Sequence, residues 1–138
     1  MERTLGVLET VLYASDLAVT GRFYHDVIGL ESVYRDRDLL TAFRTGPESV
    51  LLLFDPAESE AAGRSVPTHG GRGPGHIAFL IEEAGYDAWL ARLARLGVEI
   101  EQEHVWDDGS KSIYVRDPAG NSVELITGDI WHERLAEA

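Results

Sequence analysis

Residues 114–124, Tyr-Val-Arg-Asp-Pro-Ala-Gly-Asn-Ser-Val-Glu, have the pattern of a strand, a tight turn and a second strand. Residues 117–120 supply the turn, because proline presets φ and glycine tolerates a positive φ. Polar and apolar residues alternate on both sides, which is typical of a sheet with one face on a core. Glu124 is unusual there, because it lies in mid-strand between Val123 and Leu125, where burying an unpaired carboxylate is costly.

Glu124 has two interpretations. In the first, its carboxylate faces solvent or pairs with an arginine, which is the common fate of a glutamate in a strand. In the second, it is a metal ligand on the inner face of a curved sheet. The spacing within this stretch alone leaves both open.

The composition indicates a cytoplasmic globular protein. The chain has 138 residues and is expected to form a single domain over residues 1–138. It has no apolar run of the ~20 residues that a membrane span needs, and its first residues lack the pattern of a secretory signal. The absence of cysteine excludes disulfides and thiolate metal sites. A formal charge of −12 opposes nonspecific nucleic-acid binding, so an anionic substrate would need local arginines.

The chain repeats one order of elements. A strand, a helix capped by Ser15 and Asp16, and three strands are predicted over residues 7–14, 15–28, 30–35, 39–44 and 49–54. The same order returns as a strand, a helix and three strands over residues 75–81, 86–96, 98–105, 111–116 and 121–127. This predicts an α+β fold of two βαβββ modules, at about residues 7–55 and 75–127. An irregular connector joins them at residues 56–74, and a tail at residues 128–138 is expected to dock as a short helical segment.

The repeat relates four positions. Glu9 and His76 occupy the same place in the first strand of each module, and Leu51 and Glu124 are matched in the last strand. A single histidine or glutamate on a strand is usually structural. Three metal-competent side chains at matched inward positions instead favour a metal site.

Four segments resemble the vicinal oxygen chelate superfamily, which includes glyoxalase I, bleomycin-resistance and fosfomycin-resistance proteins, methylmalonyl-CoA epimerase and extradiol dioxygenases. They are LETVLYASDL (8–17), RFYHDVIGLE (22–31), GPGHIAFLI (73–81) and YVRDPAGNSVELI (114–126). The resemblance implies two curved mixed sheets that form a cup around a divalent metal ion. It also implies a homodimer, as in many members.

The family's ligand positions fall on Glu9, His76 and Glu124. The resemblance implies that Glu9 of one chain meets His76 and Glu124 of the other. The fourth position carries Leu51, which implies a three-ligand site with open positions, as in fosfomycin-resistance enzymes and extradiol dioxygenases. One histidine and two carboxylates suit Mn, Fe(II), Ni, Zn or Mg.

The remaining candidate site residues are five in the second module and one, Arg44, in the first module. Tyr114 is the first candidate for proton transfer, and His104 is the second. The substrate-binding candidates are Arg44, Ser112, Arg116 and Trp106.

Two functions remain in view. The ligand set predicts a metal-dependent enzyme of lyase or isomerase, thiol- or group-transferase, or dioxygenase type, whose small substrate chelates the metal through vicinal oxygens. The alternative is a metal-free protein that sequesters a drug, as the bleomycin-resistance proteins do. The charge of −12 and the tryptophans Trp89, Trp106 and Trp131 favour a cationic drug.

Overall fold

The computed structural model describes residues 1–132 of the chain. Their contacts divide them into two compact units, Met1–Gly75 with Pro118–Gly120, and His76–Asp117 with the described residues from Asn121 onward. Most of the predicted helical tail, residues 133–138, lies outside the described part. Within residues 1–132, no helix is long and apolar enough to cross a membrane.

The first unit contains a four-stranded mixed sheet in the order β1-β4-β3-β2. β1 runs parallel to β4, and the other neighbours are antiparallel. Its elements are β1 (Glu9–Tyr13), α1 (Leu17–Arg22), β2 (Glu31–Asp36), β3 (Leu40–Gly46), β4 (Ser49–Phe54) and the short α2 (Pro56–Ser59).

The predicted first helix consists of two parts. α1 begins where the Asp16 carboxylate accepts the backbone N–H of Val19 at 3.0 Å, as expected for an N-cap. After α1 the chain continues as a π-helical segment, Phe23–Ile28. Gly29 ends it with a φ of +87°, a left-handed conformation that glycine adopts without a steric penalty.

The second unit repeats this arrangement in the order β5-β8-β7-β6, again with the first and last strands parallel. The predicted α+β fold of two βαβββ modules is therefore confirmed. The strand predicted at residues 98–105 is shorter, because only its second half pairs with β7. The elements are β5 (His76–Leu80), α3 (Tyr86–Arg95), β6 (Gln102–Val105), β7 (Lys111–Arg116) and β8 (Ser122–Ile126).

The connector covers part of the first sheet. It contains α2, where the Asp55 carboxylate accepts the N–H of Ala57 at 2.9 Å, and no other helix or strand up to Gly75. His69 lies edge-on to Phe54, with 4.6 Å between ring centroids, and Nδ1 of His69 is 2.7 Å from the Tyr13 hydroxyl. The face of the first sheet that carries Tyr13 and Phe54 is thus partly closed by the connector.

The pairing of the first and last strands fixes how the two modules correspond. In the first unit Glu9 pairs with Val50, and in the second His76 pairs with Ser122. Paired residues of neighbouring strands lie on the same face of a sheet. Val50 therefore corresponds to Ser122 in the repeat.

This register corrects the predicted fourth position. Leu52 lies two residues after Val50, and Glu124 lies two residues after Ser122, so Leu52 corresponds to Glu124. Leu51 instead corresponds to Val123, and both side chains are completely buried on the opposite face of their sheets. The prediction that Leu51 stands at a ligand position is wrong by one residue, and a one-residue slip moves a side chain to the other face.

Tyr86 links α3 to β6. Its hydroxyl donates a 2.6 Å hydrogen bond to Oε1 of Glu103, and the ammonium of Lys111 lies 5.3 Å from its ring centroid. Burial raises the pKa of Tyr86 to about 12, helped by the hydrogen bond to Glu103 and its charge. The folded state thus favours the neutral phenol.

We expect this phenol to make stability fall at high pH. Below pH 10 the phenol is neutral in both states, so its stabilising effect is complete. Between about pH 10 and 12 the unfolded phenol ionises first, and up to about 3 kcal/mol of unfolding free energy is lost. Urea unfolding of wild type and Tyr86→Phe at pH 9 and pH 11.5 measures this. The stability difference between the two proteins should change with pH, and a constant difference would contradict the assignment.

Candidate metal centre

One face of the second sheet gathers the polar side chains. Direct pairing places His76 beside Ser122, Tyr114 beside Glu124, and His104 beside Ser112, so these residues share a face. The opposite face packs the core with completely buried apolar side chains: Ile113, Val115, Val123 and Leu125. The alternation predicted from the sequence thus separates a chemical face from a core face.

His76 and Glu124 form a close pair on this face. Nε2 of His76 is 3.3 Å from Oε1 of Glu124. The His76 side chain is half exposed, with 49% of its surface accessible, whereas only 8% of the Glu124 side-chain surface is accessible. Metal–ligand distances of about 2.0–2.2 Å place two ligand atoms about 3 Å apart, so the pair fits two ligands of one ion.

The other nitrogen of His76 has its own partners. Nδ1 lies 3.2 Å from both the carbonyl oxygen and the hydroxyl of Ser122. The carbonyl only accepts hydrogen bonds, so a proton on Nδ1 of His76 satisfies it. In the neutral ring Nε2 then carries the lone pair that can bind a metal ion beside the carboxylate of Glu124. A histidine that ligates a metal commonly donates its second N–H to a carbonyl in this way.

Two further side chains hold the carboxylate of Glu124. The hydroxyl of Ser112 donates to Oε2 at 2.6 Å, and the indole N–H of Trp106 donates to the Ser112 oxygen at 2.8 Å. Oε2 is therefore occupied, and Oε1 is directed to His76. Ser112 was predicted to bind substrate, but it is completely buried and its one hydroxyl proton is committed to Glu124. Its position suits a residue that orients the carboxylate.

We expect Ser112→Ala to weaken Mn²⁺ binding by about 10- to 100-fold, the usual cost of losing an outer partner of a ligand. The change frees Oε2 of Glu124 to rotate and removes the acceptor of the Trp106 N–H. Calorimetric titration with Mn²⁺ measures it, with Ser32→Ala on the exposed strand β2 as the control. An affinity equal to that of the control would show that Ser112 does not position the carboxylate.

Glu9 and Arg44 belong to the first unit, where both are exposed. Arg44 pairs with Val50 and Arg116 pairs with Ser122, so the two arginines correspond in the repeat. Each lies on the same face of its sheet as the candidate ligands. Among residues 1–132, no group of three histidine, aspartate or glutamate side chains is close enough to hold a metal ion. The structure thus brings together two of the three predicted ligands.

Tyr114 lies next to the pair. Its ring is 6.5 Å from that of His76 and nearly parallel to it, with 27° between the planes. Burial, followed by the negative charge of Glu124, raises the pKa of the phenol. Tyr114 is therefore protonated at neutral pH and is suited to donate a hydrogen bond or a proton.

The remaining predicted residues line a cavity of ≈410 Å³ on the same face. Arg116 lines this cavity, and its Nε lies 2.6 Å from the carboxylate of Glu101. The hydrogen bond from Arg116 holds the pKa of Glu101 below its usual value. His104 also lines the cavity, and its ring lies edge-on to Trp106 at 4.6 Å. Other lining residues are Gln102, Tyr114 and Ser122.

A second cavity, of ≈620 Å³, contains the His76–Glu124 pair itself. Much of its lining was not predicted from the sequence: Leu80, Ile126 and the segment 128–131. Leu80 was detectable, because it alternates with His76 and Ala78 along β5 and so shares their face. The segment 128–131 has no such signal, since it follows the last strand.

The comparison with known families gives the class of the protein. Residues 6–125 match the Glyoxalase/Bleomycin resistance protein/Dioxygenase superfamily. Because the match covers most of the chain, the chain belongs to this superfamily, which confirms the resemblance.

Relatives within the superfamily include antibiotic-resistance proteins. Metallothiol transferase FosB of Shouchella clausii is 47% identical over 64 residues, which are 44% of this chain and 42% of that protein. Fosfomycin resistance protein FosX of Listeria monocytogenes is 29% identical over 131 residues, 94% of each chain. The crystal structure of lactoylglutathione lyase from Agrobacterium tumefaciens is 43% identical, with a TM-score of 0.87 over 94% of this chain and 98% of that one. These relatives agree with the predicted class of metal-dependent enzyme.

Proposed function

We propose that this chain is a metal-dependent enzyme whose small substrate binds one divalent ion through two adjacent oxygen atoms. The observation that carries the proposal is the His76–Glu124 pair, with Nε2 and Oε1 only 3.3 Å apart. The buried hydrogen bonds that orient Glu124 support it, because they fix one oxygen and leave the other toward His76.

Glu9 is the proposed third ligand. It corresponds to His76 in the repeat and lies at the exposed end of β1. We propose that the chain forms a homodimer in which Glu9 of one copy joins His76 and Glu124 of the other. A monomeric mass in light scattering at micromolar concentration would contradict this arrangement.

The donor set limits the metal. One imidazole nitrogen and two carboxylates suit Mn, Fe(II), Ni, Zn or Mg. When bound, the ion supplies Lewis-acid stabilisation of negative charge on a substrate oxygen. The two carboxylates offset its charge, so an anionic substrate needs a basic group nearby. The candidate is Arg116, which lines the ≈410 Å³ cavity on the same face, and an anionic substrate would have to replace Glu101 as its partner.

Tyr114 is the proposed proton donor. Its raised pKa keeps the phenol protonated, and it lines the cavity that contains the His76–Glu124 pair. It can therefore donate a hydrogen bond or a proton to a substrate oxygen on which negative charge develops. His104, whose ring lies 4.6 Å from that of Trp106, is the second candidate.

The names of the relatives narrow the reaction type. One relative is named as a metallothiol transferase, another as a fosfomycin resistance protein, and a third as a lactoylglutathione lyase, which favours transferase or lyase chemistry. We propose that this chain catalyses a reaction of one of these types. We also propose that it is located in the cytoplasm. A metal-free protein that sequesters a drug is the second candidate, favoured by the tryptophans that line the ≈620 Å³ cavity.

Water proton relaxation of the Mn²⁺-loaded protein tests the proposal. Bound Mn²⁺ with open positions should enhance relaxation, and acetohydroxamate, which chelates through two oxygens, should lower the enhancement by displacing water. Acetamide, which lacks the second oxygen, should have no effect. Failure to retain Mn²⁺, or equal effects of the two compounds, would overturn the enzyme in favour of metal-free binding.

A further inference from the structure

The ≈620 Å³ cavity has two chemically different ends. His76, Glu124 and Tyr114 form a polar end, and the other walls are mainly apolar. Its volume lies within the range of about 300–1,000 Å³ that is usual for small-molecule sites. The apolar walls come from Ala78, Leu80, Ile126, Ile130, Trp106 and Trp131.

Hydrogen bonds between Thr127 and β7 position the start of the lining segment 128–131. The backbone N–H of Lys111 donates to the hydroxyl of Thr127 at 2.9 Å, and the N–H of Thr127 donates to the Lys111 carbonyl at 3.0 Å. A Cβ on Gly128 would meet the hydroxyl oxygen of Ser110, so a larger residue there would require the Ser110 side chain to move. The start of the segment 128–131 is therefore held next to β7.

Two large apolar side chains of this cavity are exposed in the single chain. Leu80 is 68% exposed and Trp131 is 60% exposed. They lie on the face that carries the His76–Glu124 pair, and apolar surface grouped beside polar groups in a concavity is typical of a ligand site. A ligand with only a few carbon atoms would leave most of this surface in water.

We infer that the substrate is amphipathic, with two adjacent oxygens at the His76–Glu124 end and a flat apolar body, such as an aromatic ring system, against Leu80 and Trp131. This inference rests on the proposed function and adds the substrate class. The apolar body removes exposed side-chain surface from water, while the oxygens reach the polar end. The apolar walls then select the substrate, and the polar end, where the metal ion would bind, supplies the chemistry.

The test compares two hydroxamates on the Mn²⁺-loaded full-length protein by calorimetry. 2-Naphthohydroxamate and acetohydroxamate carry the same chelating group and differ in the apolar body. We expect the naphthyl compound to bind at least about tenfold more tightly, because a fused aromatic body buries enough surface for that factor. Equal affinities would overturn the inference.

Matched variants locate the effect. Leu80→Ala and Trp131→Ala should each remove most of the advantage of the naphthyl compound and leave acetohydroxamate affinity unchanged. Leu96→Ala, which removes another exposed leucine outside the cavity, should behave as wild type. An equal effect of Leu80→Ala and Leu96→Ala would also overturn the inference.

2-Naphthamide and metal-free protein separate this inference from the proposed function. The amide lacks the chelating pair, so its binding reports on the apolar walls alone. If it binds metal-free wild type but not Trp131→Ala, and neither hydroxamate needs the metal, the cavity assignment stands and the metal-dependent function fails. If acetohydroxamate needs the metal and the naphthyl body adds nothing, the function stands and the substrate class fails.

Discussion

Glu124→Gln is expected to lower the affinity for Mn²⁺ by more than about 100-fold, beyond the usual cost of losing an outer partner. The side chain keeps its size, but it loses its negative charge, and when its amide oxygen accepts the bond from Ser112 its NH2 group, which cannot bind a metal ion, faces His76. A divalent ion then loses one of its two proposed anionic ligands. Calorimetric titration with Mn²⁺, Ni²⁺ and Zn²⁺ measures the change.

The control for this prediction is Glu99→Gln, which removes one negative charge from an exposed position of the same unit. It should bind each metal as wild type does, because distant surface charges are screened by salt. If Glu99→Gln and Glu124→Gln lower affinity equally, the effect is one of net charge. Equal affinity for wild type and Glu124→Gln would remove Glu124 from the site and, with it, the proposed enzyme.

The second prediction separates the two leucines of β4. Leu51→Glu should cost about 3–5 kcal/mol of unfolding free energy, as expected for an unpaired charge in a core. Leu51 is completely buried, and the total stability of a domain is only about 5–15 kcal/mol, so much of this variant should be unfolded. Urea denaturation followed by circular dichroism gives the value.

Leu52→Glu should respond differently to metal. Leu52 lies on the same face as Glu9 and corresponds to Glu124, so the introduced carboxylate stands beside the proposed third ligand. It packs with Ala42 and Phe54, so the metal-free variant is also destabilised. Mn²⁺ should then raise its melting temperature by more than it raises that of wild type, because binding to the folded state stabilises it. Leu52→Gln, similar in size but uncharged, should lack the extra increase, and an identical increase in the two variants would refute the assigned register.

The hairpin of β7 and β8 was predictable because each part of its sequence agrees with the others. Residues 117–120 favour a tight turn that needs a positive φ at its glycine, and Gly120 adopts a φ of +89° there. Alternation then places Glu124 and Tyr114 on one face, and their side chains lie beside each other in the structure. Local turn chemistry and a strict period of two determine the arrangement.

Other features depended on contacts that local sequence does not encode. Residues 49–54, Ser-Val-Leu-Leu-Leu-Phe, are a nearly continuous apolar run, so no alternation distinguishes Leu51 from Leu52. Only the pairing of β4 with β1 sets the face. Similarly, nothing in the sequence connects Ser112 on β7 and Trp106, just after β6, to Glu124. The hydrogen bonds that join the three side chains become visible only in the structure.

The location of Mn²⁺ in an anomalous diffraction map of metal-loaded crystals shows whether His76, Glu124 and Glu9 hold one ion. We expect one strong peak at about 2.0–2.2 Å from Nε2 of His76, from Oε1 of Glu124 and from a carboxylate oxygen of Glu9 in a second copy. A peak that contacts neither His76 nor Glu124, or no peak in crystals grown with excess Mn²⁺, would contradict the proposed metal site.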